Sequence, residues 1–125
     1  MKKELVQKFI SLEKQLAGEK GGFILFGMFR REESLTWDVV ISSFWIGNDT
    51  GEPLKYIVSK IKSELNQDEM TTLSGIILLE PSNEFVKAVN EEFDTEHKIV
   101  KCGREDFNGI SVEKGYIITS KRTAD

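Results

Sequence analysis

The stretch FILFGMFRREESLTWDVVISSFWI, residues 23–46, is the part of the sequence that says most about the fold. Both of its ends are apolar, whereas its middle, RREES, is charged and polar. Two strand-forming runs joined by a short polar segment predict an antiparallel β-hairpin. Apolar side chains fall on both faces of each run, so we expect both strands to be covered on both sides. Gly27, inside the first strand, indicates a β-bulge or the close approach of another backbone.

The second strand of this hairpin raises the question of a binding site, because two tryptophans, one aspartate and two serines occur in it. The two-residue period places Trp37 and Trp45 on one face and Asp38 on the other, and both faces are mainly apolar. We therefore interpret the tryptophans as core and edge packing rather than as a surface on which a ligand stacks. Asp38 is expected either to accept hydrogen bonds from the preceding turn or to pair with Arg30 or Arg31 across the hairpin.

Three helices are predicted from apolar residues that recur at helical spacing. They cover residues 5–16, 54–65 and 85–93, and Ser82 or Asn83 is expected to cap the last of them. The apolar stripe of each helix is expected to pack on the sheet.

The remaining strands follow from apolar runs and one turn. GIILLE, residues 75–80, is a continuous apolar run typical of a central parallel strand. KIVKC, residues 98–102, and VEKGYIITS, residues 112–120, flank the Asn108-Gly109 dipeptide, which suits a type I′ turn and predicts a second hairpin. Helices that connect the middle strands imply parallel pairs there.

Residues 1–125 are therefore expected to form a single mixed α/β domain of the α+β class. The predicted order is α-β-β-α-β-α-β-β, with a mixed five-stranded sheet, two hairpins and about three packed helices. The net charge of −4 and the scattered lysines and arginines disfavour nucleic acid and anionic membranes as partners. A single cysteine, no signal peptide and no membrane-spanning run predict a soluble cytoplasmic protein.

The segments FILFGMFRRE, WDVVISSFW and YIITSKR, with the spacing between them, resemble a family of small uncharacterised bacterial proteins that carry a strand similar to WDLVVSAPW. The resemblance covers most of the chain and implies a bacterial, single-domain protein. It implies no activity and no catalytic residues.

Catalytic chemistry has little support in the sequence. His97 is the single histidine and lies in the charged segment DTEHK, which is typical of an exposed loop residue rather than a catalytic base. Cys102 is expected to act as a small hydrophobic residue, and one histidine with one cysteine does not supply a zinc site. No cofactor and no metal site are therefore expected, and no catalytic residue is assigned.

One enzyme hypothesis remains, a metal-dependent nuclease. Glu80 ends a predicted strand and Glu96-x-Lys98 begins the next, which resembles the E-x-K half of restriction-type nucleases. In those enzymes the acidic partner lies on a hairpin-paired strand, whereas here a predicted helix intervenes.

A small-ligand pocket is a second hypothesis, because ligands of open parallel sheets bind beyond the carboxyl ends of the strands. Helix capping and strand termination require the same residue types, so this pattern has a purely structural explanation as well. The candidate residues at the predicted strand ends are Trp45, Asn48, Asp49, Glu80, Ser82, Asn83 and Arg104.

The favoured hypothesis is a non-enzymatic interaction module that binds a protein partner or a second copy of itself. Its basis is the aromatic content of the strands, since eight phenylalanines in a chain of 125 residues leave apolar surface that the fold is not expected to cover fully. The ligand pocket ranks second and the nuclease third.

Overall fold

The secondary structure agrees with the predicted α+β class. The structure, a computed structural model, describes residues 1–47 and 50–122. Within these residues it has four helices and six strands, one helix and one strand more than predicted. In chain order they are α1 (Lys3–Lys20), β1 (Leu25–Arg31), β2 (Trp37–Ser42), α2 (Gly51–Glu64), α3 (Gln67–Met70), β3 (Leu73–Leu78), α4 (Glu84–Glu92), β4 (Val100–Cys102), β5 (Glu105–Phe107) and β6 (Ile110–Ser120).

The strands β1 and β2 form the predicted antiparallel hairpin, and all six residues of β2 are buried. The register of β1 against β6 shifts between Phe26 and Gly27. A Cβ atom on Gly27 would lie 2.8 Å from the ring of Phe29 and 3.3 Å from the backbone oxygen of Tyr116. The close backbone approach, one of the two alternatives predicted for Gly27, is therefore present, whereas the extra residue at the register shift, Ile118, lies on β6.

The sheet has the order β3-β2-β1-β6-β4, and β5 also pairs with β6. The strands β2 and β3 are parallel, as predicted for strands joined by the crossover helix α2. The second predicted parallel pair is wrong, because β4 is antiparallel to β6 and does not pair with β3. The reason is the tight turn before β6, which folds the chain back so that β4 and β5 lie beside β6.

Residues 100–107 form one outer edge of the sheet as two short strands. Both are antiparallel to β6, and the break between them falls at Gly103 and Arg104. This break splits the first arm of the predicted second hairpin, which accounts for six strands where five were predicted. Asn108 and Gly109 both have positive φ, 55° and 87°, as a type I′ turn requires.

The strand β3 forms the other outer edge. The prediction that this segment is a central strand is wrong, because within the described sheet β3 pairs with β2 alone. None of its six residues is buried. The crossover through α2 returns the chain beside β2, whose other side is already occupied by β1.

Helices cover both faces of the sheet. One core lies between the sheet and the helices α1 and α2, with Phe9 and Ile57 among its fully buried side chains. The other lies under α4 and includes Phe85 and Val89. Since α4 has nine residues whereas α1 has 18, the face under α4 has the shorter cover. None of the helices in residues 1–47 and 50–122 has the length and apolarity to cross a membrane.

Candidate functional site

A crevice occupies the predicted place at the carboxyl ends of the parallel strands β2 and β3. We call it the strand-end crevice, and its volume is about 380 Å³. Two of the predicted site residues, Glu80 and Ser82, line it together, and Thr50 at the start of α2 lines it as well. Both predicted residues are exposed. Binding of a ligand in the crevice stays a prediction.

Trp45 and Asn83 do not line the strand-end crevice, and each has a structural role elsewhere in the fold. The ring of Trp45 packs edge-on against Phe23, with ring centroids 5.8 Å apart, and belongs to the core under α1 and α2. Asn83 caps α4, because its side-chain oxygen accepts a hydrogen bond of 2.8 Å from the backbone N–H of Phe85. The sequence correctly predicts Asn83 as a cap for this helix.

Arg104 lies at the opposite end of the sheet from the strand-end crevice. Because β4 runs antiparallel to β2 and β3, its carboxyl end lies at the end of the sheet where β2 and β3 begin. There the Arg104 guanidinium donates a hydrogen bond of 2.9 Å to Glu113, which raises the pKa of Arg104. The remaining two predicted site residues, Asn48 and Asp49, lie outside the described residues.

A second concave surface, which we call the edge groove, opens on the α4 face of the sheet. It has a volume of about 200 Å³ and crosses β3, β2, β1 and β6. Its lining is mainly apolar and includes Phe29, Val40, Ile77, Phe85, Ile110 and Val112.

An ion pair forms the polar part of the edge groove. Arg31 Nε lies 3.2 Å from Asp38 Oδ2, so the predicted pairing across the hairpin is confirmed. The second oxygen of Asp38 accepts a hydrogen bond of 2.9 Å from the hydroxyl of Ser74 in β3. Asp38 therefore links β3 to the β1–β2 hairpin through Ser74. Arg31 compensates its charge inside the groove.

One of the exposed large apolar side chains, Ile77, lies on β3. Among the described residues, the large apolar side chains that are most exposed are Leu35, Phe44, Ile77 and Ile110, with exposed fractions of 91%, 70%, 37% and 42%. Phe44 lines the strand-end crevice, whereas Ile77 and Ile110 line the edge groove. Leu79, which follows β3, lines both. The crevice and the groove thus flank the same segment of chain.

A buried carboxylate, which the sequence analysis missed, lies apart from this region. Glu13 on α1 is completely buried, and its two oxygens contact Nδ1 of His97 at 2.5 Å and the hydroxyl of Thr119 at 2.9 Å. The backbone N–H of His97 donates to the same hydroxyl of Thr119. The sequence contains one sign of this burial. Glu13 follows Phe9 by four positions and therefore lies on the same apolar face of α1.

Cys102 and Glu96, the other titratable residues considered in the sequence, lie in different surroundings. Burial raises the pKa of the Cys102 thiol, and the carboxylates of Glu105 and Glu92 raise it further, which disfavours the nucleophilic thiolate. Glu96 forms an ion pair of 2.7 Å with Lys121, whose hydrogen bond lowers the pKa of Glu96. Across the described part of the chain, no three His, Cys, Asp or Glu side chains are grouped to hold a metal ion.

Comparisons of the chain with known protein families, with curated proteins and with solved structures give no match.

Proposed function

We propose that this chain is a protein-interaction module that binds an extended apolar protein segment along the free edge of β3. In this mode of recognition the incoming segment adds a strand to the sheet, and its backbone forms hydrogen bonds with the edge strand. Alternate side chains of the added strand then contact the two faces of the sheet.

The composition of β3 carries the proposal. Its sequence, LSGIIL, contains no charged residue, whereas each of the other five strands of the described sheet contains at least one. Proteins usually protect an exposed edge strand with lysine, proline, a bulge or a covering loop, because an open edge pairs with other chains. The strand β3 has one register shift against β2, between Leu73 and Gly75, but no proline and no lysine or other charged residue. It therefore has the composition of an interior strand in the position of an edge.

The surroundings of β3 supply apolar contacts for the added strand. On the α4 face, Ile77 stands next to the edge groove, whose far rim is Ile110. Past the end of β3, Phe44 and Leu79 continue the apolar surface into the strand-end crevice. A segment paired with β3 would cover part of this exposed apolar surface. Removal of apolar surface from water is the main source of binding free energy for such contacts.

The test is a selection of random short peptides against the purified chain at low protein concentration, followed by NMR mapping of one selected peptide. The expected peptides are uncharged and rich in β-branched residues, and the expected chemical-shift changes lie in Leu73–Leu78. Ile77→Lys should abolish peptide binding. Leu35→Lys is the matched control, because Leu35 is also exposed but lies in the turn between β1 and β2. Peptides that bind with shift changes away from β3, or a selection that enriches none, would contradict the proposal.

Small-ligand binding in the strand-end crevice is a second candidate function. The observation that favours it is the position of the crevice, at the carboxyl ends of two parallel strands and beside the start of the crossover helix α2. A thermal-shift screen with divalent metals, nucleotides and common metabolites tests it. A ligand at a hundred times its Kd should add about 2.7 kcal/mol of stability, and Glu80→Gln should weaken that effect if the ligand contacts this carboxylate.

A further inference from the structure

We infer that the occupant of the β3 edge is a second copy of this chain, paired through β3 about a two-fold axis. This inference rests on the proposed function and names the partner for the same surface. It would make β3 an interior strand of one sheet that continues through both copies, which is the position that its sequence predicts.

The two outer edges of the described sheet differ in a way that favours a closed dimer. The edge formed by residues 100–107, VKCGREDF, carries four charged residues and is interrupted at Gly103 and Arg104. Charges of this kind prevent pairing of edge strands. The strand β3 also has an irregularity, a register shift against β2 at Ser74, but it carries no charge. Each copy therefore offers one open edge, so that pairing through β3 ends at two copies instead of continuing into a filament.

The β3 edge is complementary to itself. A two-fold axis pairs the strand antiparallel with its own copy, and every residue from 70 to 79 is uncharged. When the axis passes through Gly75 or Ile76, each of the six strand residues lies opposite an uncharged residue. Like charges, which destabilise a strand pair, thus never meet across this contact.

The side chains of β3 provide little means of selecting a foreign sequence. Its single polar side chain, Ser74, donates its hydroxyl hydrogen bond to Asp38 of the same chain. No charged side chain is present on β3 to form a cross-strand ion pair with a different partner. Recognition at this edge therefore depends on backbone hydrogen bonds and apolar packing. A second copy of β3 provides both.

The paired arrangement also covers the exposed side of Ile77. In the register with the axis at Ile76, Ile77 lies opposite Gly75 of the other copy. A Cβ atom on Gly75 would have no neighbour within 4 Å, so open space is available there for the incoming side chain. The same axis brings the edge grooves of the two copies onto the same face of the joined sheet.

The test is the mass of the full chain in solution, measured by sedimentation equilibrium. The contact runs about 20 Å along six residues, so we expect a weak dimer and a measurement at protein concentrations from roughly 5 to 500 µM. The wild type should change from its monomer mass of 14.2 kDa to twice that value as concentration rises. Ile77→Lys should raise the dissociation constant at least tenfold, whereas Leu35→Lys should leave it unchanged. Backbone amides of β3 should exchange hydrogen more slowly at the high concentration.

Circular dichroism of each variant establishes that it is folded. If Ile77→Lys is not folded, Ile77→Thr keeps a β-branched residue in the strand while removing apolar surface, and the same increase in the dissociation constant is expected. A wild type that stays monomeric over the whole range, or a dimer that Ile77→Lys leaves unchanged, overturns the inference. If the monomeric wild type still binds selected peptides at β3, the second copy is wrong as the occupant and the proposed function stands. If it binds none, both are wrong.

Discussion

Nδ1 of His97 lies 2.5 Å from the Oε1 atom of Glu13, a carboxylate with no exposure to solvent. The contact joins α1 to the loop between α4 and β4, two segments that are remote in the sequence. His97 has a φ of 59°, a left-handed conformation that residues other than glycine rarely adopt. The chain adopts this less common backbone geometry at a residue whose ring contacts the buried carboxyl group of Glu13.

Replacement of His97 by alanine is expected to lower the free energy of unfolding by about 2 kcal/mol, because it leaves the Glu13 carboxylate buried with one hydrogen-bond partner fewer. His97→Asn should lose less, since asparagine supplies an N–H donor and tolerates a positive φ. Urea denaturation measures both variants. Equal stability of His97→Ala and the wild type would show that the contact with Glu13 does not stabilise the fold.

Gly27→Ala is expected to destabilise the protein by about 1–3 kcal/mol, because the added methyl group would overlap the ring of Phe29 in the centre of the sheet. Gly22→Ala is the matched control, since a Cβ atom there has no neighbour within 4 Å. Thermal denaturation of the two variants gives the comparison. A control that loses as much stability as Gly27→Ala would contradict the assignment of the effect to crowding inside β1.

Asn83→Ala tests whether this predicted site residue acts as a helix cap. It should lower the free energy of unfolding by about 1 kcal/mol, because the first N–H groups of α4 lose their side-chain acceptor. Asn83→Asp keeps an acceptor and should restore most of the stability, as measured by urea denaturation. If aspartate is no better than alanine at this position, the capping role is wrong.

The partly buried thiol of Cys102 predicts a loss of stability at alkaline pH. Its pKa is raised in the folded chain by burial, whereas an unfolded cysteine titrates near pH 8.5. Above that pH the unfolded state loses the thiol proton first, so the free energy of unfolding falls as the pH rises towards the folded pKa. The measurement is the difference between the wild type and Cys102→Ser at about pH 7.5 and pH 9.5, since other groups titrate equally in both proteins. The wild type should lose more stability than the variant, and an identical loss would contradict the prediction.

Local patterns were sufficient for much of the fold. The β1–β2 hairpin, the constraint at Gly27, the ion pair between Arg31 and Asp38 and the turn at Asn108 all follow from residues that are close in sequence or opposite each other in one hairpin. The physical causes act over a short segment of chain in each case. They are a turn whose twist suits the strands, a missing Cβ atom and a charge pair between neighbouring strands.

The misplaced features depend on the order of strands in the sheet, which local patterns do not encode. An apolar run predicts that a strand is covered, but it does not state whether the cover comes from the same chain, and so β3 was predicted to be central. Arg104 was expected beside Glu80 because β4 was assigned the direction of β3, whereas its pairing with β6 reverses it. The burial of Glu13 depends on His97 and Thr119, whose approach to α1 requires the finished sheet.

The place of β6 between β1 and β4 has a consequence for synthesis on the ribosome. The hairpin of β1 and β2 is complete at Ser42, whereas β6, the second neighbour of β1, spans Ile110–Ser120. A nascent chain therefore carries the fully buried residues Leu25 and Phe26 on a strand that has one edge unpaired until β6 is synthesised. The sheet can close only after β6 has been synthesised, and until then the unpaired edge of β1 is open to contacts with other chains.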